Sequence, residues 1–240
     1  GVFDDSSVMT PITRGFRDRY SNLNVTYRKL TIEEYEEELL NAFATGKGPD
    51  VFMVNNAWLP RYMDKIVPAP PLTIDERTFR DAYVDVAAED LVQDGKIYGI
   101  PLHVDTLALF YNKDLLRAAG FTDAQGEARP PRTWDELEDY ALKLSEFTRD
   151  ADGTITSIRR IGFIPNYGNA WFYFYSWLND GQLLSPDGRA CTLASPENIE
   201  AMQYVTNLYD KLGGACLVNA FQSSFQGAEL DPFLSGRVGM

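Results

Sequence analysis

The sequence predicts an α/β protein in which helices and short strands alternate along the chain. Three observations carry that expectation. Amphipathic segments with helical spacing open at capping residues and close at glycines. Short apolar runs bounded by turn residues lie between them. The two kinds of segment alternate, which is the pattern of α/β layers. No internal repeat or low-complexity tract interrupts it.

Taken in order, Met9, Ile12, Phe16 and Tyr20 follow helical spacing after Ser6-Ser7, a candidate N-cap pair. Asn24 to Tyr27 reads as a strand. Thr31-Ile32-Glu33-Glu34 is a capping box, opening a helix with Ile32, Tyr35, Leu39 and Phe43 on one face and Gly46 just past its end. Val51 to Val54 and Leu107 to Tyr111 are apolar runs expected as buried strands. Phe79 to Leu91 is expected as one helix. Asp94-Gly95 is a tight turn leading to a strand over Lys96 to Pro101. Lys113 to Ala119 is a short helix closed by Gly120. Thr133-Trp134-Asp135-Glu136 is a second capping box, whose helix runs into a tail over residues 144–149. Ile158 to Ile164 is a candidate strand, and residues 170–178 are an aromatic-rich helix. Leu183-Leu184 and residues 190–193 flank the hairpin signal Pro186-Asp187-Gly188. Ser195-Pro196-Glu197 places proline at the first position of a helix that ends at Gly213-Gly214. Residues 233–240 read as a helix end, a glycine turn and the opening of a strand.

Composition bounds the function. The 240 residues suit one or two domains, with 45% hydrophobic and 24% charged residues. Asp and Glu outnumber Lys and Arg by 35 to 22, a net charge of -13. Nucleic-acid binding rests on Lys and Arg neutralising phosphates, so this balance argues against it, and against an anionic membrane surface. One His and two Cys exclude a Cys/His zinc cluster. Cys191 and Cys216 bracket the last long helix, about 16 residues and 24 Å, and either bridge through folded-back flanks in an oxidising compartment or are two buried thiols.

Two constellations admit enzyme chemistry. Asp150-Ala151-Asp152-Gly153-Thr154 looks like the Asp-x-Asp-Gly-Thr signature of the haloacid dehalogenase family, but a helix tail precedes it where that family has a strand to aim the nucleophile. An exposed Asp-Gly turn is the expected reading. The same stretch fails as a calcium loop, because the twelfth position is Arg159 where a bidentate Glu is required. His103 and Asp105 could act as general acid and base, or as ligand contacts at a polar domain junction. No phosphate loop and no Gly-x-Ser-x-Gly elbow is present. Tyr167, Trp171, Phe172, Tyr173, Phe174, Tyr175 and Trp177 form the densest aromatic stretch. A core on one side of a helix cannot take them all. An indole at the start of that helix offers a flat apolar platform, and with carboxylates and amides it suits a sugar's C–H faces and hydroxyl rim.

Four motifs in order carry a resemblance: Gly46-Lys47-Gly48-Pro49-Asp50-Val51-Phe52; Tyr98-Gly99-Ile100-Pro101 followed by residues 109–116; Pro131-Arg132-Thr133-Trp134-Asp135-Glu136-Leu137; and residues 233–240, Phe-Leu-Ser-Gly-Arg-Val-Gly-Met. Together they resemble the family 1 extracellular solute-binding proteins, over nearly the whole chain. The resemblance implies a two-lobed, type II periplasmic-binding-protein-like α/β fold, incomplete at both ends. Residues 1–104 would be a partial first lobe and residues 105–240 the hinge crossing and a partial second lobe. It implies a monomeric receptor, periplasmic or extracellular and in some members lipid-anchored. Such a receptor is no enzyme, needs no cofactor or metal, and passes a mono- or oligosaccharide to ABC transporter permease subunits. The residues matching the family's contact positions are Asp4, Asp5, Ser6, Asn55, Asn56, Trp58, Asp105 and Trp171, and His103, two residues from Asp105, joins them as a candidate ligand contact. Hydroxyls of a sugar would donate to the carboxylates, and the amides would both donate and accept. Asn55-Asn56 replace a more charged set of the family's first-lobe rim, which leaves the particular ligand open. The alternatives are a cationic ligand such as a polyamine, a hydrolase using Asp150 and Asp152 or His103 and Asp105, and an interaction domain.

Overall fold

The computed structural model describes residues 5–167, 171–225 and 231–240. The chain divides into two units, Gly1–Asp105 and Thr106–Met240.

In the first unit, helix α1 (Ser6–Arg19) starts at Asp5 rather than at the Ser6-Ser7 pair, because the Asp5 carbonyl accepts the N–H groups of Val8 (2.9 Å) and Met9 (3.1 Å). Its periodic residues share a face as expected, yet Ile12 stays 60% exposed and none of α1 is buried. Helix α2 (Ile32–Ala44) buries Tyr35 and Leu39, while Ile32, expected on the same face, is exposed. The Thr31 hydroxyl donates to Glu34 Oε2 (2.9 Å) instead of accepting an N–H, so the two residues pair with each other and not with the backbone as a capping box would. Gly46, at φ +67°, closes the helix in the left-handed conformation that glycine adopts without strain.

A 3-10 turn (Asn56–Trp58), helix α3 (Leu59–Tyr62) and a second 3-10 turn (Met63–Lys65) follow. The helix expected over Phe79 to Leu91 is two, α4 (Glu76–Ala82) and α5 (Asp85–Leu91), parted by extended backbone at Tyr83 and Val84. The break has a packing reason. Nine residues of unbroken helix would turn Ala88 by about 180° from Phe79. Instead both are fully buried in one cluster with Leu59, Leu91, Val92 and Ile97. Asp94 and Gly95, at φ +50° and +72°, turn strand β1 (Val92–Gln93) into β2 (Lys96–Ile97). β2 is shorter than predicted, because its partner β1 is only two residues long.

Neither Asn24 to Tyr27 nor Val51 to Val54 is a strand. A strand needs a neighbour to take its backbone hydrogen bonds, which apolarity does not supply. The second run is held by side chains: Phe52, Met53 and Val54 pack on Tyr35, Leu39 and Tyr62, and the Tyr35 hydroxyl donates to the Met53 carbonyl (2.8 Å). Val51, at the head of the run, is 88% exposed.

In the second unit, Leu107 to Tyr111 also forms no strand, and Leu107, Leu109 and Phe110 are exposed. Helix α6 (Lys113–Ala118) follows, capped by the Asn112 side chain, which accepts from the N–H groups of Asp114 (3.0 Å) and Leu115 (3.1 Å). Helix α7 (Trp134–Leu144) carries the better-formed capping box. Thr133 Oγ1 accepts the Glu136 N–H (3.2 Å), and Glu136 reaches back to the Arg132 N–H (2.7 Å). α7 stops at Leu144. The expected helix tail is instead strand β3 (Glu146–Arg149), paired antiparallel with β4 (Ile155–Arg160). Asp150 imposes the change: its Oδ1 accepts the N–H groups of Asp152 (3.1 Å) and Thr154 (2.9 Å), fixing the hairpin turn. The segment after β4 presses on α7 so closely that a Cβ at Gly162 would lie 2.2 Å from the Ala141 carbonyl oxygen.

Helices α8 (Phe172–Leu178), α9 (Pro196–Lys211) and α10 (Ala215–Ser223) complete the unit. Ser195 caps α9 with Pro196 at its first turn, as predicted. Leu184 and Cys191 form an antiparallel bridge around the Pro186-Asp187-Gly188 turn. At the end of the chain, Val238 bridges Ile161 in parallel and the Gly239 carbonyl accepts the Asn112 N–H (2.9 Å). Ala141, Ile158, Ile161, Leu208, Leu212, Val218 and Val238 form the main core, with Leu116, Tyr140 and Leu144 in a second cluster. Among the described residues no helix is long and apolar enough to cross a membrane.

Candidate functional site

Eight of the nine candidate residues fall in the first unit, and Trp171 falls in the second. Asp4 lies outside the described residues. Asp5 is exposed at the start of α1, and its carboxylate pairs with Lys29. Ser6 is the exposed first residue of that helix.

Asn55, Asn56 and Trp58 are gathered by one 3-10 turn. The Asn55 Oδ1 accepts the Ala57 N–H (2.9 Å) and so builds the turn it precedes. The Asn56 amide donates to Asp90 Oδ2 (2.7 Å), which places a carboxylate of α5 beside it. Nothing in the spacing of the two residues announces that pair, since they are 34 positions apart. Trp58 is half-buried. Its ring lies near-parallel to Tyr62, with centroids 6.3 Å apart, and the Arg61 guanidinium is 6.0 Å from its centre. His103 and Asp105 are exposed in the irregular stretch 98–112, and Asp105 is the last residue of the first unit.

Trp171 is the N-cap residue of α8 and its indole is 54% exposed. The helix beneath it is firmly seated. Trp134 stacks on Tyr204 (4.4 Å) and meets Tyr175 edge-on (6.2 Å), joining α7, α8 and α9. The Tyr175 hydroxyl donates to the Pro165 carbonyl (2.6 Å), and burial pushes that phenol's pKa up. Below the rings, Asn198 of α9 donates to the carbonyls of Gln182 (2.8 Å) and Thr192 (2.9 Å) and accepts from Ser176 of α8. Of the aromatic stretch, only Tyr175 is buried. Tyr173, Phe174 and Trp177 pack on one another at the surface, Trp177 being as exposed as Trp171.

Asp150 and Asp152 sit in the exposed hairpin turn. A strand does precede them, contrary to the sequence expectation, but it belongs to a two-stranded antiparallel hairpin, and Asp150 is engaged with backbone N–H groups. Cys191 and Cys216 are free thiols, and both are exposed rather than buried.

The profile of the family described as bacterial extracellular solute-binding protein matches residues 4–240. The chain belongs to that family. It is 24% identical over 186 residues to the arabinooligosaccharide-binding protein of Halalkalibacterium halodurans, a match covering 75% of this chain and 38% of that protein. Among solved structures, the sugar-binding protein MalE of Xanthomonas citri superposes with a TM-score of 0.74 at 22% identity, over 100% of this chain and 57% of that one. An ABC substrate-binding protein of Listeria monocytogenes, solved in complex with cycloalternan, gives 0.64 at 24% identity, over 100% and 58%. These likenesses establish the two-lobed α/β binding-protein fold. The chain spans less than half the length of the curated relatives it matches.

Proposed function

We propose that this chain is part of an extracellular or periplasmic receptor that captures a carbohydrate between two hinged lobes and delivers it to the permease subunits of an ABC importer. It acts as a binder, not an enzyme. The observation that carries the reading is Trp171: a large apolar surface left half in solvent, on a helix whose seat is fixed by buried rings and a satisfied buried amide. A platform on a rigid element suits a sugar's C–H face, and such a contact adds about 0.5–1.5 kcal/mol beyond burial. The first unit would supply the polar contacts, through Asp4, Asp5, Ser6, Asn55, Asn56, His103 and Asp105, with Trp58 as a second aromatic surface. The oligosaccharide ligands named for the Halalkalibacterium and Listeria relatives support the carbohydrate class. A ligand touching both lobes would favour their closed arrangement by its differential affinity, and closure is what an importer can read.

The test is a thermal-shift screen of the full-length chain against arabino-, malto- and manno-oligosaccharides and spermidine, since a ligand that binds the native state raises the midpoint. A sugar is expected to give the shift, and Trp171→Ala to weaken its calorimetric affinity at least tenfold with the melting point of the free protein unchanged. Unchanged affinity would remove Trp171 from the site. A salt-sensitive shift with spermidine alone would replace the carbohydrate by a cation.

A further inference from the structure

We infer that the base of the β3–β4 hairpin and the turn at residues 236–237 form a phosphate site in the second unit. The site is an open hollow of about 290 Å³ lined by Glu146, Arg159, Arg160, Gly236 and Arg237. That size is at the lower end of small-molecule sites, about 300 Å³, and suits one small charged group. The inference does not rest on the carbohydrate reading, since none of the candidate sugar contacts lines the hollow.

An irregularity in the ladder gathers the first two arginines. Glu146 of β3 stands opposite Arg160 of β4 and Phe147 opposite Ile158, so Arg159 is an extra residue on its strand. In a regular strand Arg159 and Arg160 would point to opposite faces. A bulge breaks that alternation. Here both guanidiniums reach Glu146, Arg160 at 2.9 Å and Arg159 at 3.6 Å. Arg237, 78 positions beyond Arg159, is brought alongside by the parallel bridge of Ile161 and Val238, where the Ile161 N–H donates to the Arg237 carbonyl (3.0 Å).

Two of the guanidiniums are held in place through Nε. Arg160 Nε donates to the Leu144 carbonyl (2.8 Å), and Arg237 Nε to the Arg159 carbonyl (2.5 Å). The rings of Phe221 and Phe225 lie 5.5 and 5.2 Å from the Arg237 guanidinium and brace it further. Among the described residues no carboxylate pairs with Arg237, so its terminal N–H groups remain to donate.

The excess charge selects the ligand. Three guanidiniums face one carboxylate, a local charge of +2, in a chain whose net charge is -13. Exposed charges farther off than about 8 Å are largely screened at physiological salt, so the local excess decides. A carboxylate ligand carries one charge and fills a single guanidinium fork. A phosphate group carries about -1.5 to -2 and offers three acceptor oxygens, enough to engage more than one fork. A cation would meet the arginines, and a neutral ligand would leave their charge unanswered.

The experiment is calorimetry on the full-length protein at low salt with inorganic phosphate, methyl phosphate and acetate. Phosphate is expected to bind saturably and at least tenfold more tightly than acetate. Arg159→Gln, at a side chain 79% exposed, should weaken phosphate at least threefold with the melting point unchanged. Glu146→Gln removes the carboxylate that competes for the arginines and should tighten phosphate at least threefold, a gain that loss of structure does not produce. Methyl phosphate binding as well as the free ion identifies a monoester as ligand, and inorganic phosphate alone the free ion; both results uphold the site. Absence of saturable phosphate binding by the wild type, equal affinity for acetate, or an affinity that neither substitution moves overturns it.

Discussion

Glu136 shows how much one side chain can settle. Its carboxylate takes the Arg132 N–H and the Arg129 guanidinium (2.9 Å), and these, the backbone bond first, hold its pKa below the ordinary 4.5. A carboxylate lowered in the folded state stabilises the protein fully above its unfolded value. That contribution is lost as pH falls through the lowered one. Glu136→Gln should therefore reduce the fall in melting temperature between about pH 7 and pH 3, by scanning calorimetry. An unaltered acid limb would mean that the interaction is fully screened at the surface. Residue identity made this cap legible in advance, because Thr-x-x-Glu states both partners. The same spacing at Thr31 did not guarantee the same bonds, since a hydroxyl can donate to the carboxylate as readily as accept from the backbone. Asp5 was legible as a loop residue, but its Lys29 partner was not, because 24 positions separate them.

At the scale of elements, the seat of α8 decides where Trp171 stands. Asn198 is almost fully buried and satisfies two carbonyls and a hydroxyl at once. Removing it strands those groups, at roughly 1–3 kcal/mol each. Asn198→Ala should lower the urea midpoint and, by loosening α8, weaken ligand binding as well. A variant that loses stability but keeps wild-type affinity would show that the platform does not need this seat. The helices were largely readable, because their spacing and caps are local. The strands over Asn24 to Tyr27, Val51 to Val54 and Leu107 to Tyr111 were not, because a strand is completed by a partner that its own residues do not specify. The tail after Leu144 was misread for a related reason: the Asp150 turn, directly after β3, redirects it into a hairpin.

Each unit of the molecule has its own buried clusters, around Phe79 and Tyr62 in the first and around Leu208 and Tyr140 in the second. Leu208→Ala removes a fully buried side chain, a change that costs about 2–5 kcal/mol. Hydrogen exchange should then quicken in α7, α9 and α10 while amides of α4 and α5 keep their rates. Uniform quickening would show that the two units unfold as one. The family was already legible in four short motifs, since turns, caps and glycines are fixed by local backbone geometry. So was the candidacy of Trp171, since a helix with seven neighbouring aromatics cannot bury them all. Which ring stays in solvent and which asparagine is tied to which carboxylate were decided only by tertiary structure. Each depends on residues tens of positions apart meeting through packing, and no local pattern in a chain encodes that meeting.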